Sequence, residues 1–445
     1  MDPSSLQPIK TCHVVAMPFP GRGHVNPMMN FCKHISMTRP TTTLITFIVT
    51  EEWHGFISSD PRPANIRLVT IPNVIPSEIG RAKDWAGFIR ASLTKLEAPV
   101  EELLDRLEPP KPNVIVHDTF LKWMVDVGNR RNIPVASFWT QSATAFSIFH
   151  HFDLFVQNGH FNVNLTEKGK EQIEYIPGVP KMRISDLPTP FFSPKGQEVF
   201  HDCMECIWLV PKAQFLLLTS TYELETQVID GLQKEFVFPI YSIGPAIPYF
   251  NLNDDSASTY VDQSEPEYVK WLDAQPTSSV LYISQGSFLS VSNVQLDEIV
   301  AGVHDSGVRF FWVTREDLSH NEKKGDTKAI IVPWCDQLRV LSHSSIGGFW
   351  SHCGWNSTKE AIFSGLPMLS FPIFWDQTTN TKQIVEDWKI GWRVKKDDGS
   401  LITRQEIARL LQKFMDSESD EGKEMRRRAK ELQVICQKAA EKGGS

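Results

Sequence analysis

The feature that most constrains the fold of this chain is a repeated alternation of short β-branched runs with longer amphipathic stretches. In the first half, the runs of strand length are residues 13–17, 43–49, 114–117 and 135–139. In the second half, they are residues 280–284, 310–313, 330–332, 346–349 and 367–370. Neighbouring parallel strands need a long crossover connection, usually a helix, so this pattern predicts an α/β protein with two doubly wound parallel sheets.

The two halves are separated by a stretch rich in Pro, Gly, Ser, Asn and Asp, residues 239–266. Such composition is typical of an exposed linker. We therefore predict an N-terminal domain over 1–240, a linker over 241–265 and a C-terminal domain over 266–425. The last segment has the pattern of a charged amphipathic helix, to which we assign residues 426–445.

Composition narrows the class of protein. The chain has 445 residues, enough for two or three domains, and its net charge of −8 argues against nucleic acid as the main partner. No apolar run approaches the roughly 18 residues of a membrane span, and no apolar segment of a secretory signal follows the N-terminus. Seven cysteines, an odd number, favour reduced thiols over a disulfide framework. We expect a cytoplasmic protein that does not insert into membranes.

Two polar residues follow predicted strands of the first half, where open α/β sheets bind their ligands. His24 comes after the first strand, in a loop where Asn26 is the expected helix N-cap and Pro27 the first helical residue. Asp118 ends the strand over 114–117. An Asp beside a His can hold its tautomer and stabilise the imidazolium, so the pair predicts a general base. The alternative is a loop histidine and a turn aspartate with no shared task.

The segment 351–360 follows a strand of the second half and opens a helix. Gly354 allows close approach of a ligand, and Asn356 and Ser357 at the helix start suit phosphate oxygens. Glu360 lies on the same helix face as Asn356 and could accept hydrogen bonds from a ribose diol. The alternative is a capping box, with Ser357 as N-cap and Glu360 three residues later.

Another polar group, Phe374-Trp375-Asp376-Gln377, is predicted to end the next strand. The carboxylate and the amide could hydrogen-bond several sugar hydroxyls, with the indole as an apolar wall.

These motifs together closely resemble a known family. Residues 334–377 contain W-C-D-Q, V-L-S-H, G-G-F-W-S-H-C-G-W-N-S, G-L-P and W-D-Q in that order. They resemble the signature box of plant UDP-dependent glycosyltransferases, which modify small secondary metabolites and hormones. The resemblance extends to G-H-V-N-P around His24, to Asp118, to Trp271-Leu272-Asp273 and to Gly286-Ser287.

The resemblance implies two facing Rossmann-like domains (GT-B type) with an interdomain cleft. The N-terminal domain would bind the acceptor and the C-terminal domain the UDP-sugar. The implied UDP-sugar site consists of Ser287, Trp334, Cys335, Asp336, Gln337, His352, Gly354, Trp355, Asn356, Ser357, Glu360, Trp375, Asp376 and Gln377. No cofactor and no metal is implied.

By the same resemblance, Trp334 stacks on the uracil, with Cys335 and Gln337 beside base and ribose, and Glu360 holds the ribose hydroxyls. The diphosphate would be held by Ser287, His352, Asn356 and Ser357. Trp355, Trp375, Asp376 and Gln377 would face the sugar. Gln377 at the end of the box indicates glucose as the sugar.

The chain departs from the family pattern at two positions. Asp336 replaces the usual Pro and adds a negative charge beside the predicted uracil platform, and Gln285 replaces the usual aromatic residue before Gly286. Both departures bear on donor choice and affinity more than on activity.

We therefore predict an inverting transferase that moves glucose from UDP-glucose to a hydroxyl group of a flavonoid, terpenoid or hormone, giving a β-glucoside. His24 would be the base and Asp118 its partner, and the chain would act as a monomer. The candidate acceptor-binding residues are Phe19, Phe120, Trp139 and Phe146, although such residues equally suit a core.

Two rival functions compete with this prediction. One is a catalytically silent UDP-sugar sensor or partner-binding protein on the same fold, against which the presence of both His24 and Asp118 counts. The other is a nicotinamide oxidoreductase, for which Gly21 and Gly23 would begin the glycine fingerprint. Asn26 occupies the place of its third glycine, so this reading ranks last.

Overall fold

A computed structural model describes residues 11–81, 83–249, 265–286, 292–314, 327–394 and 400–441. Its strands are β1 Cys12–Met17, β2 Thr43–Thr50, β3 Ile66–Ile71, β4 Val114–Asp118, β5 Val135–Trp139, β6 Gln172–Ile173, β7 Met182–Arg183, β8 Phe215–Leu218, β9 Ile240–Ser242, β10 Val280–Ser284, β11 Arg309–Val313, β12 Ala329–Val332, β13 Ile346–Ser351, β14 Met368–Ser370 and β15 Gly391–Arg393.

The α-helices are α1 Arg22–Thr38, α2 Glu51–Ile57, α3 Trp85–Lys95, α4 Glu97–Asp105, α5 Trp123–Arg130, α6 Ala143–His150, α7 Phe152–Gln157, α8 Leu165–Lys168, α9 Pro194–Gln197, α10 Phe200–Leu209, α11 Thr226–Glu235, α12 Glu267–Asp273, α13 Asn293–Asp305, α14 Gln337–Leu341, α15 Trp355–Phe363, α16 Gln377–Lys382, α17 Arg404–Met415 and α18 Asp420–Ala440. In the described residues, no helix combines the length and apolar character that a membrane crossing requires.

The chain forms two compact units. The first comprises Met1–Phe152, Ser193–Ser220 and Glu225–Ile247, and the second comprises Asp153–Phe192, Thr221–Leu224 and Pro248–Ser445. Residues 153–192, which the sequence-based boundaries put in the N-terminal domain, thus pack with the second unit. Residues 250–264 of the predicted linker lie outside the described residues.

The first unit is built on a seven-stranded sheet in the order β3-β2-β1-β4-β5-β8-β9, and every pairing in it is parallel. Its central strands are buried along almost their whole length because helices cover both faces of such a sheet. Val25, Met28 and Cys32 of α1 are buried against β-strand residues such as Ile45 and Phe47. This packing holds the first helix, and the loop before it, at the carboxyl end of β1.

The second unit contains a six-stranded parallel sheet in the order β12-β11-β10-β13-β14-β15. Its core includes Leu281, Trp312 and Trp350 from the strands, with Ile407 and Phe414 from α17. β13 is a central strand, so its carboxyl end, where the predicted nucleotide site begins, lies in the middle of the sheet.

Every strand predicted from the sequence is present. The strands that were not predicted are mostly short or at an edge. β3, β9 and β15 each end a sheet, and edge strands need fewer apolar residues to be stable. β8, a run of Phe and Leu, lacks the β-branched residues that mark a strand.

The predicted start of α1 is wrong. The helix begins at Arg22 with extended Gly21 as its N-cap, and the carbonyl of Gly21 accepts hydrogen bonds from His24 N–H (2.9 Å) and Val25 N–H (2.8 Å). Pro27 therefore lies inside the helix, where its ring costs one backbone hydrogen bond. As a result, His24 belongs to the first helical turn, which orients its side chain more firmly than a loop would.

Candidate active site

The structure brings His24 and Asp118 together. His24 Nδ1 lies 2.7 Å from Asp118 Oδ2, although the two residues are far apart in sequence. They meet because β1, which leads into α1, is hydrogen-bonded to β4, whose last residue is Asp118. The His24 side chain is 21% exposed and that of Asp118 1% exposed, so the carboxylate is buried behind an accessible imidazole.

Hydrogen bonds fix the orientation of this pair. Asp118 Oδ1 accepts the N–H of Phe120 at 3.0 Å, which leaves Oδ2 facing the imidazole. Thr140 Oγ1 lies 3.2 Å from the same ring nitrogen of His24. A carboxylate at Nδ1 favours the tautomer with its proton there, so that Nε2 carries the lone pair. The arrangement can accept a proton at Nε2.

Two of the four predicted acceptor-binding residues lie against His24. The ring centroids of Phe19 and Phe120 are 5.2 and 5.9 Å from that of the imidazole. Trp139 and Phe146 pack behind Phe120 and are 0% exposed. Their complete burial favours the core alternative for these two residues.

An ion pair that the sequence analysis missed borders the same aromatic group. Glu78 Oε2 lies 3.2 Å from Arg81 Nη1, and Arg81 lies over the ring of Phe88, which in turn contacts Phe19. Burial raises the pKa of Glu78 to about 7, against the opposing effect of Arg81. The only sequence signal was an acidic and a basic residue three positions apart.

In the second unit, the predicted uracil platform is open to solvent, with Trp334 64% exposed. The next residue, Cys335, is buried, and its Sγ lies 3.5 Å from the hydroxyl of Tyr282. Asp336 is the N-cap of α14, and its Oδ1 accepts the N–H of Arg339 at 3.2 Å. The charge that replaces the family's proline therefore stabilises a helix start, where negative charge is favoured.

The predicted ribose ligand Glu360 is held by Gln337. Gln337 Nε2 donates to Glu360 Oε2 (2.6 Å) and to Ser357 Oγ (3.0 Å). Burial raises the pKa of Glu360 to about 7, although the hydrogen bond from Gln337 works in the other direction. The capping-box alternative is wrong, because α15 begins at Trp355 with Gly354 as N-cap and Ser357 lies inside the helix.

His352 stands between β13 and α15 and is flanked by two glycines. A Cβ added to Gly286 would lie 2.8 Å from the ring, and one added to Gly354 would lie 2.6 Å from it. Burial lowers the pKa of His352 to about 4, so the imidazole is neutral at pH 7. Within the described residues its buried Nδ1 has no hydrogen-bond partner. Ser287, predicted to act with it, lies outside the described residues.

The start of α15 presents backbone N–H groups at the carboxyl end of β13. Trp355 is buried, and Asn356 and Ser357 occupy the next two positions of the first turn. Backbone N–H groups at a helix start, together with the helix dipole, suit a diphosphate.

The group predicted to face the sugar lies in a loop after β14 rather than at the end of a strand. Gln377 opens α16, and its Oε1 accepts the N–H groups of Ile373 (2.8 Å) and Phe374 (2.9 Å). Asp376 is 5% exposed, and its Oδ2 accepts a hydrogen bond from Asn380 at 2.8 Å. The polar atoms of this group therefore also stabilise the loop itself.

The structure also contains a histidine pair that the sequence analysis did not single out. Among the described residues, His150, His151 and Glu235 bring their potential metal-ligand atoms within 4.8 Å of one another. The Nε2 atoms of His150 and His151 lie 3.0 and 2.8 Å from the two oxygens of Glu235. These contacts tie the end of α6 to the end of α11.

Comparisons with known proteins define the family. The family model described as UDP-glucoronosyl and UDP-glucosyl transferase matches residues 242–426. UDP-glycosyltransferase 87A2 of Arabidopsis thaliana is 51% identical over 448 residues, covering 100% of this chain and 96% of its own length. UDP-glycosyltransferase 87A1 of the same plant is 52% identical over 433 residues, covering 96% of each chain. The chain belongs to the plant UDP-glycosyltransferases, and it is a transferase enzyme.

Solved structures agree on the fold class. A Medicago truncatula glycosyltransferase, UGT71G1, solved with UDP-glucose, matches with a TM-score of 0.81 at 25% identity over 98% of this chain and 95% of its own. Phytolacca americana UGT2, solved with UDP-2fluoro-glucose and pterostilbene, matches with a TM-score of 0.80 at 25% identity over 98% and 97%. Os79 of O. sativa, solved with U2F and a trichothecene, gives 0.81 at 27% identity over 97% of each chain. The predicted fold class, with two Rossmann-like domains, is confirmed.

Proposed function

We propose that this enzyme is an inverting glucosyltransferase that moves glucose from UDP-glucose to a hydroxyl group of a small hydrophobic metabolite, giving a β-glucoside. The observation that carries this proposal is the pairing of His24 with the buried carboxylate of Asp118 at 2.7 Å. That pairing leaves Nε2 of an accessible imidazole as the base.

In the proposed reaction, His24 Nε2 takes the proton of the acceptor hydroxyl. The oxygen attacks the anomeric carbon of the glucose from the side opposite to UDP, and the bond from that carbon to the diphosphate oxygen breaks. A direct displacement of this kind converts the α-linked donor into a β-linked product. Asp118 stabilises the imidazolium formed at His24.

The donor side of the proposal rests on the residues around α15. The helix start at Gly354 and the imidazole of His352 would donate hydrogen bonds to the diphosphate, whose negative charge grows as UDP leaves. Glu360 would accept hydrogen bonds from the ribose hydroxyls. The glucose preference follows from Gln377, and UDP-glucose is the ligand of the solved Medicago structure.

For the acceptor, we propose a flavonoid, a terpenoid or a hormone. Phe19 and Phe120 place an apolar wall beside the base, which suits a flat or apolar molecule. Two related structures hold such ligands, pterostilbene in one and a trichothecene in the other.

We propose further that transfer needs neither a metal nor another cofactor, since a side-chain base and a helix start supply the proton and charge chemistry. The enzyme would act as a monomer in the cytoplasm, on secondary metabolites. The seven free cysteines support a reducing compartment.

The proposal is tested by mass spectrometry of reactions between UDP-glucose and a pool of hydroxylated plant metabolites. We expect the wild-type chain to give a product heavier by one hexose, with a β linkage in its NMR spectrum. His24→Ala should lower kcat by roughly 10²-fold or more, the usual loss of a general base, while UDP still binds. Asp118→Asn should likewise lower kcat with little change in UDP affinity. Full activity of His24→Ala would overturn the assignment of the base.

A further inference from the structure

The loop predicted to face the donor sugar contains a strained residue. Trp375 has φ of +65°, in the left-handed region that bulky side chains rarely adopt. It is 9% exposed, so neither its backbone nor its indole is free to relax into solvent. Such a conformation persists only where surrounding groups hold it in place.

Thr189 supplies two of the bonds that hold this residue. The N–H of Trp375 donates to Thr189 Oγ1 at 2.7 Å, and the N–H of Thr189 donates to the carbonyl of Trp375 at 2.9 Å. The bonds clamp both sides of the strained residue. The two preceding backbone N–H groups of the loop, those of Ile373 and Phe374, donate to Gln377 Oε1.

Thr189 lies in a segment that is anchored independently of this clamp. Thr378 Oγ1 donates to the carbonyl of Leu187 at 2.8 Å, and Thr379 Oγ1 donates to that of Asp186 at 2.8 Å. The carboxylate of Asp186, 1% exposed, also receives Arg393 at 2.8 Å. These contacts fix the segment without Thr189. The hydroxyl of Thr189 is therefore not needed to anchor the segment, and its bond to the N–H of Trp375 acts on that residue.

We propose that Thr189 is a positioning residue for donor-sugar recognition, which acts by holding Trp375, and with it Asp376 and Gln377, in the sugar-binding conformation. This inference rests on the proposed function, in which these three residues face the glucose of UDP-glucose. The two hydrogen bonds of this clamp join Thr189 to Trp375 and involve none of the residues assigned to uracil, ribose or diphosphate. Its loss should therefore affect recognition of the sugar and spare that of UDP.

The test compares Thr189→Val with Thr189→Ser. Valine keeps the shape but removes the acceptor oxygen, whereas serine keeps the oxygen. Isothermal titration should show UDP-glucose bound about tenfold more weakly by Thr189→Val, the effect of leaving one buried N–H without its acceptor. UDP affinity should stay within about twofold of wild type, and Thr189→Ser should restore UDP-glucose binding. The preference for UDP-glucose over UDP-galactose in kcat/KM should fall in the same variant.

Thr378→Val is the matched control, since it removes one hydroxyl bond between the same two segments but leaves the Trp375 clamp. It should bind UDP-glucose like wild type. Equal weakening of UDP and UDP-glucose by Thr189→Val, or the same selective loss in Thr378→Val, would overturn the inference, as would unchanged sugar selectivity. A wild-type chain that binds UDP but does not use UDP-glucose would instead count against the proposed function.

Discussion

At the scale of single residues, the predicted donor site combines two ionisable side chains whose charge is controlled by burial. His352 is neutral at pH 7 because burial lowers its pKa to about 4, and it can donate a hydrogen bond without bringing a fixed charge. Glu360 is poised between its two forms, because burial raises its pKa to about 7. The ionised carboxylate is the better acceptor of hydrogen bonds from ribose hydroxyls. The protonation of Glu360 should therefore govern the affinity for UDP-glucose.

We therefore expect UDP-glucose affinity to rise with pH. The pKa of Glu360 is raised, so at pH 6 the carboxyl is mostly protonated and at pH 8 mostly ionised. If the ionised form binds, the association constant should increase about tenfold between these values. Isothermal titration with UDP-glucose measures this without an acceptor, and UDP-glucose itself has no phosphate group that titrates in the range.

Glu360→Gln is the control for that experiment. It should bind UDP-glucose more weakly than wild type at pH 8, and the rise between pH 6 and 8 should disappear. A rise that persists in the variant would assign the pH dependence to another group, such as Glu78, whose pKa burial also raises to about 7.

At the scale of elements, most of the candidate site residues lie at the N-terminal ends of helices. Gly21 is the N-cap of α1, which puts His24 in the first turn of that helix, and Gly354, beside His352, is the N-cap of α15. Asp336, two residues after the exposed Trp334, is the N-cap of α14. Each start lies where a parallel strand has just ended, which is where this fold class binds ligands.

Asp336 should matter for α14 as a cap. Asp336→Ala removes the acceptor of the Arg339 N–H and should cost about 1 kcal/mol of local stability, the usual effect of losing an N-cap. Hydrogen exchange of peptides from α14 should become roughly fivefold faster. Asp336→Asn keeps the acceptor and should exchange like wild type. Equal exchange in all three proteins would show that the cap contributes nothing to α14.

At the scale of the whole molecule, each of the two units is built from segments that are not contiguous in sequence. The second unit takes in residues 153–192, which come before part of the first unit in sequence. Asp186 anchors that segment through Arg393, and Thr189 follows in the same segment. A residue encoded in the N-terminal half of the chain thus becomes part of the support of the predicted sugar loop.

The cysteines provide a test of the packing of both units. All seven are free, and Cys12 is exposed whereas the others are buried. Burial raises the pKa of Cys335 and Cys436 to about 12, so their reactive thiolates are scarce at pH 8. Ellman's reagent should titrate one thiol per chain rapidly in the native enzyme and seven after denaturation. The fast phase should vanish in Cys12→Ser, and several fast thiols in the native enzyme would contradict the described packing.

Much of the fold and the site was predictable from local patterns. Buried parallel strands are continuous apolar runs, which is why β5 and β10 match their predicted bounds. The contiguous segment 351–360, which contains His352, predicted a site for phosphate oxygens and a ribose diol without any tertiary information. The start of α1 was mispredicted because Asn26 and Pro27 form a strong local signal, which the packing of Val25 and Met28 on the sheet overrides.

The sequence by itself determined the strand and helix alternation, the class of enzyme and the candidates for the residues of its site, because each depends on short-range periodicity or on a contiguous motif. Only the tertiary structure decided that Asp118 holds His24, that Gln337 holds Glu360 and that Thr189 clamps Trp375. These partners are distant in sequence and meet through strand order and helix packing. The burial that raises the pKa of Glu360 and lowers that of His352 likewise arises only when the whole unit has folded.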